Sequence, residues 1–231
     1  MIDPNRYRVL SFDCYGTLID WESGILEALR PLLARKGVEP TDDELLELHG
    51  RFEPAEQQGP YRSYRRILEA VLERFAAHYG FVLDADERGV LADAVASWRP
   101  FPDTVAALQR LATRFRLVVI SNIDNEMFSG SARQLEVAFD DVITAEELRG
   151  YKPRQSNFTQ AIVRIGERAS AILHVAQSLY HDIAPAKKLG LSTVWVNRRQ
   201  DRAGSGATPP ASATPDLTVP DLTTLATLLV P

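Results

Sequence analysis

Four stretches of this 231-residue sequence place reactive side chains at or beyond the ends of short predicted strands. Val9-Leu10-Ser11-Phe12 leads into Asp13, with Gly16 and Thr17 just beyond; Val118-Val119-Ile120 leads into Ser121-Asn122. Further on stand Tyr151-Lys152-Pro153, and then Leu173-His174-Val175, which runs through Gln177-Ser178 to Tyr180-His181-Asp182. An acid, a hydroxyl beside an amide, an amine and a second acid therefore follow one another along the chain. Gly16 lets the backbone turn sharply, and the free N–H groups of such a loop collect around an anion. The chemistry on offer is that of carboxylates and an ammonium around a small anionic ligand. Each residue also has a plainer reading: Asp13 serves turn amides, Thr17, Ser121 and Asp182 cap helices, and Lys152 is a solvated turn lysine. Taken together, those readings explain poorly why all four sites fall where strands end.

The elements that must position them read as follows. After the first strand, residues 21 to 100 show only helical periodicity. Ser23 to Lys36 is amphipathic, and Pro31 should bend it or end it early. Thr41-Asp42-Asp43-Glu44 opens Leu45 to Phe52 as a capping box, with Pro54 and Gly59-Pro60 closing it. Tyr61 to Tyr79 is stopped by Gly80, and Asp84 with Glu87 opens a last helix to about Trp98. Beyond the stiff Arg99-Pro100-Phe101-Pro102 linker, Asp103 caps a helix through Leu111. Strands at Leu117–Ile120, Asp141–Thr144, Ala171–Val175 and Thr193–Val196 then alternate with helices at Asn125–Val137, Ser156–Gly166 and Pro185–Leu189. That alternation predicts an α/β fold with a parallel, doubly wound, Rossmann-like sheet, whose strand ends share one edge and one crevice. The core is expected over 1–20 and 102–231, with an all-helical insertion over 21–101. Residues 202–220, rich in Gly, Ser, Ala, Thr and Pro, read as a flexible loop without a motif, ahead of a final helix over Asp221–Leu229.

Composition narrows the function. The net charge of -5 offers no broad basic face for nucleic acid. No apolar run is long enough to span a bilayer and no signal stands at the N-terminus, so a soluble, cytoplasmic protein is expected. The single cysteine, Cys14, excludes an internal disulfide and a Cys-rich metal site. Strand alternation points it away from the face used by Asp13, as a core residue and not a thiol nucleophile.

In the order of its four motifs the chain resembles the haloacid dehalogenase superfamily, with Asp13 and Thr17, Ser121, Lys152 and Asp182 at the motif positions. The helical insertion then corresponds to that family's cap domain. The resemblance implies that Asp13 attacks an electrophile to form a covalent ester, which splits one displacement into two easier steps. Lys152 would neutralise and aim Asp13, Ser121 and nearby amides would hold an anionic group, and Asp182 would orient or deprotonate the hydrolytic water. Phosphatases of the superfamily carry a second aspartate two residues after the nucleophile, to protonate a basic alkoxide. Here Tyr15 stands in that position, as in the 2-haloacid dehalogenases, whose halide leaves without a proton. The implied substrate is a small 2-substituted carboxylic acid, with no cofactor; Mg²⁺ on Asp13 and Asp182 belongs only to a phosphatase alternative. Arg51 lies where the dehalogenases carry a halide-binding arginine, and Asn122 follows Ser121 in the anion loop. Two departures stand out. Phe158 replaces the tyrosine usual six positions after the lysine, and the terminal motif lacks a seating asparagine, for which Ser178 is the expected substitute. Asp13-Cys14-Tyr15-Gly16-Thr17 and Ser121-Asn122-Ile123-Asp124 also look like the azetidine-2-carboxylate hydrolase branch, which opens a strained ring by the same attack. A homodimer is expected by analogy alone, and a catalytically silent partner-binding member is the remaining rival.

Overall fold

The computed structural model describes residues 2–231. Six strands form one parallel sheet: β1 (Val9–Phe12), β2 (Arg116–Ser121), β3 (Asp141–Thr144), β4 (Ile172–Ala176), β5 (Ser192–Val196) and β6 (Leu217–Val219). Their order is β3-β2-β1-β4-β5-β6, so the order reverses between β1 and β4, the place where an open α/β sheet leaves a crevice beyond its strand ends. The strands are apolar on both faces because helices cover both. Val9, Val118, Ile120 and Ile172 pack with Phe158 on one side, and Leu10, Phe12, Leu117 and Val119 join the larger core on the other. Cys14 is fully buried in that larger core, as strand alternation required.

Between β1 and β2 stand four helices, α1 (Trp21–Arg35), α2 (Asp42–Glu56), α3 (Tyr64–Tyr79) and α4 (Val90–Ala94). Asp20 caps α1, and Gly80, in the left-handed region at φ 74°, ends α3 as expected. Pro31 does not end α1. It sits on the solvent side near exposed Glu27, so water meets the carbonyl its ring leaves unbonded. Pro54 likewise falls inside the last turn of α2 and does not close the helix. Only half of the expected capping box forms at Thr41: its Oγ1 accepts from Glu44 N–H, but the Glu44 carboxylate turns to Tyr79. The helix expected from Asp84 begins only at Val90, because Glu87 folds back onto the Asp84 N–H and pairs with Lys36.

The remaining helices are α5 (Thr104–Ala112), α6 (Asn125–Leu135), α7 (Ala145–Leu148), α8 (Gln155–Ile165), α9 (Ala184–Lys188) and α10 (Leu222–Leu229). Asp103 precedes α5 without capping it; its carboxylate accepts from Arg198 and from the N–H of Leu222, tying three distant segments together. The stretch 202–220 is more than a loop. It supplies β6, and its Ala207 backbone lies against Gly50 of α2, where a Cβ would come within 2.9 Å of Ala207 C. Ala207 N–H also donates to Glu22, so this stretch is fastened to the helical block. Its lack of hydrophobic periodicity hid that role.

Candidate active site

The site is assembled at the carboxyl end of the sheet. Parallel pairing sets Phe12 level with Val119 on one side and Val175 on the other, so Asp13 emerges between the ends of β2 and β4. Gly16, at φ 92°, turns the chain immediately afterwards, a conformation that favours glycine. The turn returns Thr17 to Asp13, whose Oδ2 accepts from Thr17 Oγ1 at 2.8 Å. Thr17 Oγ1 in turn accepts from the N–H of Gln177, beyond β4.

Lys152 approaches from the far side of β2. All three ammonium protons are used: Nζ donates to Asp13 Oδ1 at 2.9 Å, to Asp182 Oδ1 at 2.7 Å and to the carbonyl of Ile120 at 2.8 Å. Asn122 does not point to a ligand. It clamps the Lys152 backbone, accepting its N–H at 2.7 Å and donating to its carbonyl at 3.1 Å. Asp182 lies in a single π turn, Leu179–Ile183, capped by Ser178, whose Oγ accepts from His181 N–H. Ser178 is thus occupied in shaping this turn, although it lines the cavity. His174, fully buried on β4, bonds Asp182 Oδ1 at 3.0 Å through Nε2 and Ser11 at 2.9 Å through Nδ1. A carboxylate can only accept, so Nε2 carries the hydrogen and Nδ1 accepts from the serine hydroxyl when the ring is neutral.

Burial raises the pKa of Asp13, and Asp182 adds to the rise, while Lys152 opposes both. Burial would also raise Asp182, but Lys152 and the His174 hydrogen bond outweigh it and hold this carboxyl below the usual range. Two carboxylates around one ammonium therefore divide their roles: Asp182 is the fixed counter-ion and Asp13 the more basic oxygen.

A cavity opens directly above. It is small, about 30 Å³, and Asp13, Tyr15, Ser121, Asn122, Lys152 and Asp182 line it from the sheet side. Three buried polar atoms among its lining residues have no partner among the described residues: Ser121 Oγ, Asp182 Oδ2 and His181 Nε2. Unpaired buried groups are costly, and their convergence marks a place built for a polar ligand and its water. Burial pushes His181 down to about 4, so it faces the cavity as a neutral ring. Tyr15 is held by Ser131 at 2.8 Å and by an edge-on contact with Trp98, and its burial raises the phenol pKa, so it lines the cavity as a neutral wall.

Two expected ligand contacts are absent. Arg51 is exposed on α2, with its guanidinium carbon 5.5 Å from the Phe52 ring; it borders a separate cavity of about 1230 Å³ beside the 202–211 stretch. Phe158 is fully buried in the smaller apolar cluster, edge-on to His174, and does not line the cavity, so a hydroxyl on this ring would meet no ligand there. In their stead the helical block contributes Trp21, Glu53 and Tyr64, and the 202–220 stretch contributes Thr208. Glu53 and Tyr64 carried no motif, but Glu53 shares the buried stripe of α2 with Leu45, Leu46 and His49, and an acid on an apolar stripe is itself a signal. As for a metal, Asp13 and Asp182 are each bonded to the Lys152 ammonium, which supplies the positive charge here. Among the described residues no group of three or more His, Cys, Asp or Glu is placed to hold an ion.

Comparison with known proteins agrees with this architecture. The sequence pattern of the haloacid dehalogenase-like hydrolases matches residues 7–190. An (S)-2-haloacid dehalogenase of Pseudomonas putida is 29% identical over 232 residues, covering 95% of each chain. (S)-2-haloacid dehalogenase 1 of a Pseudomonas species is 28% identical over 210 residues, covering 85% of this chain and 86% of that one. The structure of an L-2-haloacid dehalogenase from Xanthobacter autotrophicus, with chloropropionic acid covalently bound, superposes with a TM-score of 0.80 at 20% identity, over 96% of this chain and 98% of that one. No helix of the described residues is long and apolar enough to cross a membrane. Four strand-end motifs meeting in one crevice, on a chain whose family pattern runs from the first strand to beyond Asp182, make this protein a member of the haloacid dehalogenase-like hydrolase family.

Proposed function

We propose that the protein hydrolyses the carbon–halogen bond of a small 2-haloacid and releases a 2-hydroxy acid, with Asp13 as nucleophile. The observation that carries this reading is the combination at one end of the cavity: Asp13 held by Lys152 and Thr17, with a tyrosine and not an acid two residues on. The substrate carboxylate rests near Ser121 Oγ, which lacks a partner in the protein. Asp13 attacks C2 and the halide departs with the bonding pair. Water then attacks the Asp13 carbonyl carbon, handing its proton toward Asp182 Oδ2, the unpaired oxygen of the counter-ion. Backside attack inverts C2, and the hydroxyl oxygen of the first product molecule comes from Asp13.

Lys152 serves the cycle without a cofactor, because it keeps Asp13 ionised in a buried setting and leaves it one free direction of attack. Trp21, Glu53 and Tyr64 come from the helices over 21–101, which we read as a cap domain on a core formed by 1–20 and 102–231. A cavity of about 30 Å³ has room for about two waters, so the cap must part to admit even a small acid. We place such an enzyme in the cytoplasm.

Whole-protein mass spectrometry tests the reading. A single turnover of 2-chloropropionate in H₂¹⁸O should give unlabelled lactate and an enzyme heavier by one oxygen exchange, and Asp13→Asn should show neither chloride release nor label. Chloride release should also be indifferent to EDTA. Release of inorganic phosphate from small phosphate esters, abolished by EDTA, would replace this reading with a phosphatase.

A further inference from the structure

The cap side of the cavity is acidic where a halide-binding guanidinium was expected. Glu53 is 3% exposed and lines the same cavity as Asp13. Its Oε1 accepts from Tyr64 O–H at 2.6 Å, and no other hydrogen bond reaches the carboxyl group among the described residues. Displacement at carbon sends the departing atom away from the attacking oxygen. Asp13 attacks from the sheet side, so the departing atom faces the cap, where Trp21, Glu53 and Tyr64 wait. Of these, Glu53 alone brings a carboxyl proton. The charged and titratable groups around it are Tyr64 on α3, Asp13 across the cavity and the uncharged His49 one turn earlier, with Tyr15 and Tyr151 behind Tyr64. Lys152 is committed to the floor by its three bonds. Burial, reinforced by Asp13 and opposed by the Tyr64 hydrogen bond, raises Glu53 to about 7, so near neutrality a large share of it holds its proton.

Resting on the Asp13-ester reading, we propose that Glu53 donates a hydrogen to the leaving atom, and that the site favours 2-substituted acids whose leaving atom is a strong hydrogen-bond acceptor, fluorine or a strained-ring nitrogen, over bromine. With fluorine, the Asp13–C2 bond forms, the C2–F bond breaks, and fluoride keeps the electron pair inside the Glu53 O–H hydrogen bond, with no proton transferred. With a neutral ring amine, nitrogen takes both the bonding pair and the Glu53 proton and leaves as an amine; the proton released when water hydrolyses the ester restores Glu53.

The experiment compares 2-fluoropropionate, 2-bromopropionate and azetidine-2-carboxylate in wild type, Glu53→Gln and Glu53→Leu. For Glu53→Leu the expected loss is about 10²–10³-fold on the fluoro acid and on any ring opening, with bromide release changed only a few-fold. Glu53→Gln keeps an N–H donor, so it should retain most fluoride release and lose the fall that wild type shows as pH rises through about 7. Equal losses on fluoride and bromide, or a wild-type fluoride rate that is flat with pH, would overturn the proposal. Bromide release by wild type reports the Asp13 reading alone. Should that fail, fluoride-ion binding followed by ¹⁹F NMR still decides about Glu53: tighter binding in wild type than in Glu53→Leu below neutrality supports it, and equal binding refutes it.

Discussion

The floor of the cavity is made of strand ends and its roof of helix faces, and the two hold their charge in different ways. On the floor two carboxylates share one cation: Lys152 spends its three protons on Asp13, Asp182 and the Ile120 carbonyl, and His174 braces Asp182 from within the sheet. On the roof Glu53 has, among the described residues, one tyrosine hydroxyl and no cation. A buried carboxylate with a cation stays ionised, and one without it keeps its proton. On the proposed reading, floor and roof offer a fixed nucleophile on one side of a substrate and an acid on the other.

The floor breaks most severely. Asp13→Asn removes the oxygen proposed to attack the substrate, and turnover should fall by at least about 10⁴-fold in a halide-release assay. Lys152→Met should abolish turnover as well and also destabilise the fold by about 3–5 kcal/mol in urea titrations, since it strands two buried carboxylates. Loss of activity in Lys152→Met with full stability would show that the floor is not held together by this ammonium.

Phe158 sharpens the contrast between the cavity and the sheet beneath it. The ring is buried against His174 and does not line the cavity. Phe158→Ala should cost about 3–5 kcal/mol of stability by thermal or chemical melting. At temperatures where the variant stays folded, KM should match wild type, because no substrate atom meets this ring; a raised KM would return Phe158 to the site.

The floor was the legible half of the molecule. Asp13 and Ser121 stand at the end of apolar runs whose length and flanks announce a strand, Asp182 shortly beyond a third and Lys152 beyond a strand and a short helix, and a parallel sheet brings such ends to one edge. The roof was not legible in the same way, because a helix presents its residues by rotation and not by position along the chain. Arg51 and Glu53 are two residues apart on α2 and so point about 200° apart around its axis. The stripe of Leu45, Leu46, His49 and Glu53 faces inward, and Arg51 faces out. The 202–220 stretch was obscured for a further reason: a segment held by backbone contacts with Gly50 and Glu22 needs no apolar period to be ordered.

The roof's acid should also be visible in stability. Glu53 has an ordinary pKa of 4.5 in the unfolded chain and one of about 7 when folded. Between those values the folded protein binds more protons than the unfolded one, so stability falls as pH rises through this window and is lowest once both forms are ionised. Glu53→Gln cannot titrate and keeps an acceptor for Tyr64. Its stability relative to wild type should rise on going from acid to alkaline pH by up to about 3 kcal/mol, read from urea midpoints on either side of the window. A constant difference between the two proteins would mean that Glu53 is ionised throughout and that the roof resembles the floor.

Arg51→Ala carries the smallest expected effect and separates the two halves of α2. Its guanidinium lies in solvent beside Phe52, and its neighbours line the large outer cavity, not the one above Asp13. Stability should change by no more than about 0.5 kcal/mol. Halide release should keep its kcat, with product inhibition by bromide unaltered, since in the proposed cycle a departing halide leaves toward Glu53 and Tyr64 and not toward this side chain. A marked loss of kcat together with weakened bromide inhibition would mean that α2 turns or slides when substrate binds and brings Arg51 into the cavity, which would make the roof a moving part and leave the floor as the fixed one.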